Sequence, residues 1–174
     1  MDEESNRSLM YQQYLKVQPS KMGTGQGTFT TVKIPANVAV LEITGPILLD
    51  REVPDMNDPA LLQVGPNTFI GASGDVDDFL NHSCDPNCKM HVVGNRAFLY
   101  SLYVIPAGSE LTFDYSTTST DTLDSWKMNC KCGSNKCRKL ISGAQYLPGP
   151  LTDTYKSKGM LPLYILEPNL IQKR

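Results

Sequence analysis

Three cysteines crowd into residues 130–137, Cys130, Cys132 and Cys137, in the pattern CxCx4C, with Gly133 and Asn135 allowing a tight loop. Thiolates held that closely repel one another unless a cation lies among them, and tetrahedral Zn2+ accepts thiolate sulfur readily. A closed structural site needs a fourth ligand. Within this chain the candidates are Cys84, Cys88, His82 and His91, three of them in FLNHSCDPNC at 79–88. A zinc ion is therefore a reason for two distant stretches to meet. Spacing alone does not choose between Cys84 and Cys88. The total of 5 cysteines is odd and makes a poor disulfide framework, which points to metal binding in a reducing, intracellular compartment.

Two further groups invite a chemical reading. GTGQG at 23–27 lacks the Lys-Ser/Thr ending of a phosphate-binding loop, and the strand-forming TFTTV that follows is not the helix of a dinucleotide fingerprint. Its glycines say only that backbone comes close to something, a ligand or another strand. The acidic run Asp75-Val76-Asp77-Asp78 reads as a solvated turn, or else as a contact for basic residues of a substrate peptide.

These groups must be carried by short strands and turns. TFTTVKI and NVAVLEIT, joined by Pro35-Ala36-Asn37, read as two strands, the second apolar on both faces. NRAFLYSLYVIPAGSELTFDYS (95–116) repeats the design, with a strand ending at Ile105-Pro106-Ala107-Gly108 and another from Glu110 to Tyr115. Between them, 46–65 carries mixed signals, with Ala60-Leu61-Leu62 as one possible helical turn. STTSTDTLDS (116–125) reads as a flexible polar linker that lets the cysteine loop fold back. Helical periodicity is weak throughout, so the fold class is mainly β. The boundaries expected are a frayed N-terminus at 1–10, a main domain at 11–125, a zinc loop at 126–143 and a C-terminal extension at 144–174. That extension is rich in proline and tyrosine and should have little regular structure. It closes over a groove, pairs two chains or covers the sheet.

Composition narrows the partners. At 174 residues, with 40% hydrophobic and 20% charged residues, the chain suits one globular domain. A formal charge of −2 gives no broad basic face for nucleic acid and is compatible with a basic protein substrate. The acidic N-terminus has no apolar core of a signal peptide, and no apolar run is long enough to span a membrane.

Taken in order, GTGQGTF, FLNHSCDPNC, GSELTFDY and CKCGSNKCRKLI resemble the SET-domain protein lysine methyltransferases with a post-SET zinc loop, over roughly residues 20–141. The resemblance implies small curved β-sheets with a C-terminal pseudoknot, at which the NHSC and ELTFDY stretches pack side by side. It implies S-adenosylmethionine on one side and a lysine-bearing peptide on the other, joined by a narrow channel. On the matching positions, Thr24, Gly25 and Gln26 would line the methionine moiety, Asn81 and His82 would hold the adenosine end, and Lys131 and Leu140 would cover the adenine. Cys84 would join Cys130, Cys132 and Cys137 on one structural zinc ion. Tyr115 matches the catalytic tyrosine, and Phe113 matches the position that tunes how many methyl groups are added. The substrate implied is a protein with a basic lysine-containing tail, a histone first of all, and the location nuclear in a eukaryote.

The chain departs from the family pattern at three places. Ile43 stands where a tyrosine is usual after the glutamate, Asp78-Phe79-Leu80 precedes Asn81 where Arg-Phe is common, and the insert between Gly45 and Asn67 is short with no cysteine-rich segment before it. They leave an alternative reading open, a non-catalytic module of this type that binds chromatin or partner proteins. A zinc-bearing nucleic-acid module is a third reading, opposed by the acidic balance. Chemically, free lysine titrates at about 10.4, so at a pH of about 7.4 only about 0.1% is a nucleophile, and correcting this costs about 4 kcal/mol. A water-excluding channel and a neighbouring sulfonium both act against the ammonium form. Phe113, without a hydroxyl to pin a water, implies room for di- or trimethylation.

Overall fold

A computed structural model describes residues 11–22, 25–120 and 126–168. The expected frayed segment 1–10 and Thr24 lie outside the described residues. Among the described residues, twelve short strands make five small sheets. Strand β1 (Leu15–Pro19) pairs antiparallel with β2 (Gln26–Thr30). Strand β3 (Ala39–Ile43) pairs with β9 (Arg96–Ser101), which also takes β8 (Cys88–Val93) on its other edge. In the third sheet β6 (Thr68–Ile70) lies between β4 (Ile47–Leu49) and β5 (Leu62–Gly65). Strand β7 (Asn81–His82) runs parallel to β10 (Thr112–Phe113), and β11 (Lys127–Asn129) forms a hairpin with β12 (Leu140–Ser142). Among the described residues two α-helices follow, α1 (Gly149–Ser157) and α2 (Leu163–Leu166). No helix among the described residues is long and apolar enough to cross a membrane.

The recurring IPAN and IPAG turns have one physical origin. Asn37 and Gly108, each fourth in its turn, take positive φ values of 58° and 79°, a conformation that asparagine and glycine tolerate best. Each turn begins with an isoleucine, and the two isoleucines meet: Ile34 and Ile105 exchange backbone hydrogen bonds at 2.9 Å and are buried at the centre of the fold. Around them pack Val40, Leu41, Met90, Leu99, Leu111 and Phe113.

Three expectations change. Ser116, Thr117 and Thr118 are buried, not part of a flexible linker, because their polar groups are satisfied in a 3-10 turn at Tyr115–Thr117. Asp114 accepts from the Ser116 N–H at 3.0 Å, and the Thr117 hydroxyl donates to Asp114 O at 2.6 Å. The linker's remainder, 121–125, lies outside the described residues. Leu62 opens a strand, not a helical turn. The C-terminal extension contains two helices, anchored by buried Tyr155, Met160, Leu161 and Tyr164. Proline delimits the first of them: Pro148 precedes it and Pro150 occupies its first turn, where the missing N–H does no harm.

Candidate active site and metal centre

The β7–β10 pair brings the two central motifs into register, Asn81 opposite Thr112 and His82 opposite Phe113. Residues to one side of this crossing build a group that could hold a metal ion. The sulfurs of Cys84, Cys130, Cys132 and Cys137 all lie within 4.8 Å of one another, and those of Cys84 and Cys130 are 3.7 Å apart. Four thiolates at about 2.3 Å from a tetrahedral zinc ion would stand about 3.8 Å from each other, so the donor set fits that ion. Cys88 is excluded by strand phase. It shares the inward face of β8 with Met90 and belongs to the main core, where burial holds its thiol far above the ordinary range. His91, on the opposite face, is exposed against Tyr100.

His82 is fixed by its partners. The Tyr115 N–H donates to Nδ1 at 3.2 Å, which leaves the proton on Nε2, 3.2 Å from the Cys84 sulfur. Burial holds its pKa down to about 4 against the pull of the nearby Asp114, so the ring is neutral at pH 7. Both ring nitrogens are thus engaged within the protein, and what the ring offers a cofactor is its edge and face. The Nε2–H and the Arg138 backbone N–H, 3.4 Å from the same sulfur, are the outer partners that orient a metal-bound thiolate.

Sequence reading missed the group that ties these parts together. Asp114, fully buried, receives both Nη atoms of Arg138 at 2.6 and 2.7 Å and the Tyr155 hydroxyl at 2.7 Å. Arg138 directly follows the last cysteine, so this carboxylate docks the cysteine loop onto the turn after β10 that carries the catalytic candidate Tyr115.

On another side of the crossing lie the glycine loop's partners. Asn81 Nδ2 donates to Gln26 O at 2.8 Å and to Glu110 Oε1 at 2.7 Å, and the Ser20 hydroxyl donates to the same carboxylate at 2.9 Å. Gly25 has a positive φ of 89°. A Cβ on Gly27 would collide with Glu110. The glycines therefore serve both a turn and a close approach. The hairpin β11–β12 sets the phase of the remaining candidates. Lys131 is exposed, and Leu140, 53% exposed, faces a second concavity beside Arg138 and Tyr146. It is Ile141 that turns inward onto the cysteine cluster, with Met22 packed beside it.

Beyond the crossing a cavity of about 280 Å3 opens between residues 56–63 and Trp126–Met128. Its base is Ile43, Leu80, Met90, Phe113 and Tyr115. The rings of Phe113 and Trp126 lie 4.9 and 6.4 Å from that of Tyr115. The Tyr115 hydroxyl donates to Leu80 O at 2.6 Å, and burial together with the Glu110 charge pushes its pKa far up, so it remains protonated at neutral pH. The residue that departs from the family pattern, Ile43, is therefore part of the wall. The acidic run is solvated only in part: Asp75 is exposed, but the other two carboxylates are tied into the fold. Asp77 is buried and accepts from Thr44 N at 2.7 Å and Ser73 Oγ at 2.7 Å, and Asp78 accepts from Gly74 N at 2.7 Å.

The SET-domain family model matches residues 25–116. Among curated proteins the chain is similar to "Histone-lysine N-methyltransferase trithorax" of Drosophila virilis, 30% identical over 132 residues, 68% of this chain and 3% of that protein. It is also similar to "Histone-lysine N-methyltransferase, H3 lysine-4 specific" of Emericella nidulans, 30% identical over 67% of this chain and 11% of that one. The chain thus spans a small part of the relatives it matches. Among solved structures it resembles KRYPTONITE in complex with mCHH DNA, an H3(1-15) peptide and SAH, with a TM-score of 0.60, 26% identity, and coverage of 74% of this chain and 29% of that chain. Arabidopsis thaliana SUVH6 in complex with SAM, 23% identical with a TM-score of 0.62 over 74% of this chain and 33% of that one, shares the fold.

Proposed function

Because the chain belongs to the SET-domain family, we propose that it is a protein-lysine N-methyltransferase that uses S-adenosylmethionine and acts on a basic, lysine-containing protein tail, a histone in the first place. The observation that carries this reading is the parallel β7–β10 pair, which sets the Asn81–Cys84 stretch and Tyr115 between a polar loop and an apolar, aromatic-walled cavity. The histone-directed names of the relatives and the H3 peptide held by KRYPTONITE support the substrate class. The domain boundaries follow the same reading: 11–125 for the SET domain, 126–143 for the zinc loop and 144–174 for the extension.

S-adenosylmethionine, when bound, supplies an electrophilic methyl group on a positively charged sulfur. The chain's part is to hold and orient. Gln26 and the Glu110 carboxylate, gathered beside Gly25, fit the ammonium group of the donor's zwitterionic amino-acid end, with Thr24 next to them in sequence. We assign Asn81, bonded to both, to this end and not to the adenosine end implied by the resemblance. His82 presents its ring surface, and the β11–β12 hairpin carries Lys131 and Leu140 for the adenine, with Ile141 the residue that faces inward. Ile43, Leu80 and Met90 exclude water from the acceptor amine and so favour its neutral, nucleophilic form. Tyr115 acts by position: anchored on Leu80 O, its oxygen turns its lone pairs toward the transfer point, and the proton leaves the amine to water before attack. Phe113, at the cavity base, tunes the number of methyl groups. With Phe113 and Ile43 both lacking a hydroxyl, Phe113→Tyr is expected to shift products from di- and trimethyl-lysine toward monomethyl-lysine, read by mass spectrometry of the peptide. An unchanged product distribution would refute that role.

The purified chain, incubated with labelled S-adenosylmethionine and a panel of histones, tests the whole reading. Label on lysine that is lost in Tyr115→Phe is the expected result. Donor binding without label would instead support a non-catalytic module, the reading favoured by Ile43 in the cavity wall. The metal centre has its own test. One zinc per chain is expected by elemental analysis, with Cys84→Ser losing it and Cys88→Ser keeping it. The reverse pattern would exclude the assignment of Cys84.

A further inference from the structure

We infer that the C-terminal extension is a positioning element of the transfer site, in which Tyr164 holds the two walls of the acceptor cavity together and Tyr155 holds the metal loop against the turn that carries Tyr115. This rests on the methyltransferase reading above but concerns residues beyond the segment 25–116 that the family model matches.

Both tyrosines are buried, Tyr155 to 4% exposure and Tyr164 to 5%. A helix that merely covers a sheet would present phenylalanine or leucine at such positions, because burying a phenol costs free energy unless its hydroxyl finds a partner. Here each hydroxyl meets a structurally decisive group. The Tyr164 hydroxyl donates to Thr118 O at 2.6 Å and lies 2.9 Å from Gln63 O, so one proton is shared between two carbonyls. Gln63 belongs to β5, in one wall of the cavity, and Thr118 to the turn after Tyr115, in the other. The Gln63 side chain closes the same seam, donating to Thr120 Oγ1 at 2.7 Å and accepting from Thr120 N at 2.8 Å. The Tyr155 hydroxyl donates to Asp114 Oδ2, the oxygen that also receives Arg138 Nη1. Tyr155 thereby braces the carboxylate that docks the cysteine loop. Met160 and Leu161 seat the extension by apolar contact beside Tyr155, which leaves the two hydroxyls free to act as ties.

The two ties govern different sides of the site, and Tyr→Phe substitutions separate them. The single tryptophan, Trp126, lines the cavity and reports on it by fluorescence. In the full, zinc-loaded chain, Tyr164→Phe is expected to raise the peptide KM about fivefold, the worth of one hydrogen bond, and to increase acrylamide quenching of Trp126 without altering zinc release. Tyr155→Phe should speed zinc transfer to a chromogenic chelator about fivefold and raise the donor KM, leaving Trp126 quenching unchanged. Leu161→Ala, which loosens the apolar seat without touching either hydroxyl, sets the baseline for a loss of stability alone. If a tyrosine variant fails to fold, Gln63→Leu cuts the cavity seam and Arg138→Lys weakens the metal-loop tie from the other end, with the same readouts expected. Variants that only lower the melting temperature, as Leu161→Ala does, or that move both sets of readouts in parallel, would overturn the inference. Quenching and zinc release need no turnover. A wild-type chain that transfers no methyl group would therefore remove the function proposed above and leave these ties to be judged on their own.

Discussion

Tyr115→Phe is expected to lower methyl transfer by about 10²- to 10³-fold, the usual effect of removing one preorganised polar group from a transition state, while donor binding stays close to normal. The ring should remain in place, packed between Phe113 and Trp126 and edge-on to His82 at 5.4 Å. What disappears is the oxygen, and with it the bond to Leu80 O. That carbonyl then lacks its partner, so about 1–3 kcal/mol of stability should go as well. The two losses separate by measurement: single-turnover transfer for the first, thermal melting for the second. Because burial holds the phenol protonated, Tyr115 is no general base, and the pH dependence of transfer should follow the acceptor amine. A variant that keeps its rate while losing stability would reduce Tyr115 to a core residue.

Asp114→Ala should be strongly destabilising. It leaves the Arg138 guanidinium, only 15% exposed, without its carboxylate and the Tyr155 hydroxyl without its acceptor. Removing one member of a buried ion pair costs about 3–5 kcal/mol, against a total stability of about 5–15 kcal/mol for a domain. A fall in melting temperature of roughly 10 °C follows for a chain of this size. Asp114→Asn, which keeps the shape but not the charge, should lie between. The zinc loop should loosen together with the fold, because Arg138 also donates its backbone N–H to Cys84. A melting temperature within two degrees of wild type would show that the network is not what holds the loop.

Much of this was legible from residue types alone. The CxCx4C spacing demanded a partner in the other half of the chain, and the mainly β architecture followed from short β-branched runs bounded by proline and asparagine. The choice of Cys84 over Cys88 was also latent in the sequence. Cys88, Met90 and Val92 alternate with Lys89, His91 and Val93, and a strand of that pattern turns its cysteine into the core. Leu140 against Ile141 is the same question of phase, and a three-residue strand gives too little pattern to answer it. The hub at Asp114 was hidden for a different reason. Its partners Arg138 and Tyr155 stand 24 and 41 residues away, and a charged residue read singly is assigned to solvent. Likewise the serine and threonine run after Tyr115 looked like a linker because polarity is visible in a sequence while backbone partners are not.

The parallel β7–β10 pair is only two residues long, yet it joins positions 31 residues apart in the chain. A ladder so short repays little of the entropy lost in closing that loop, whereas the β8–β9 hairpin lying within it is local and self-sufficient. That difference sets an expected order of assembly: the hairpin should form early, and the junction at the proposed transfer site should close late, once the core and the cysteine loop can hold it. The proposed transfer is then expected to depend on the last folding step, so that mild destabilisation should silence it before the rest of the molecule comes apart.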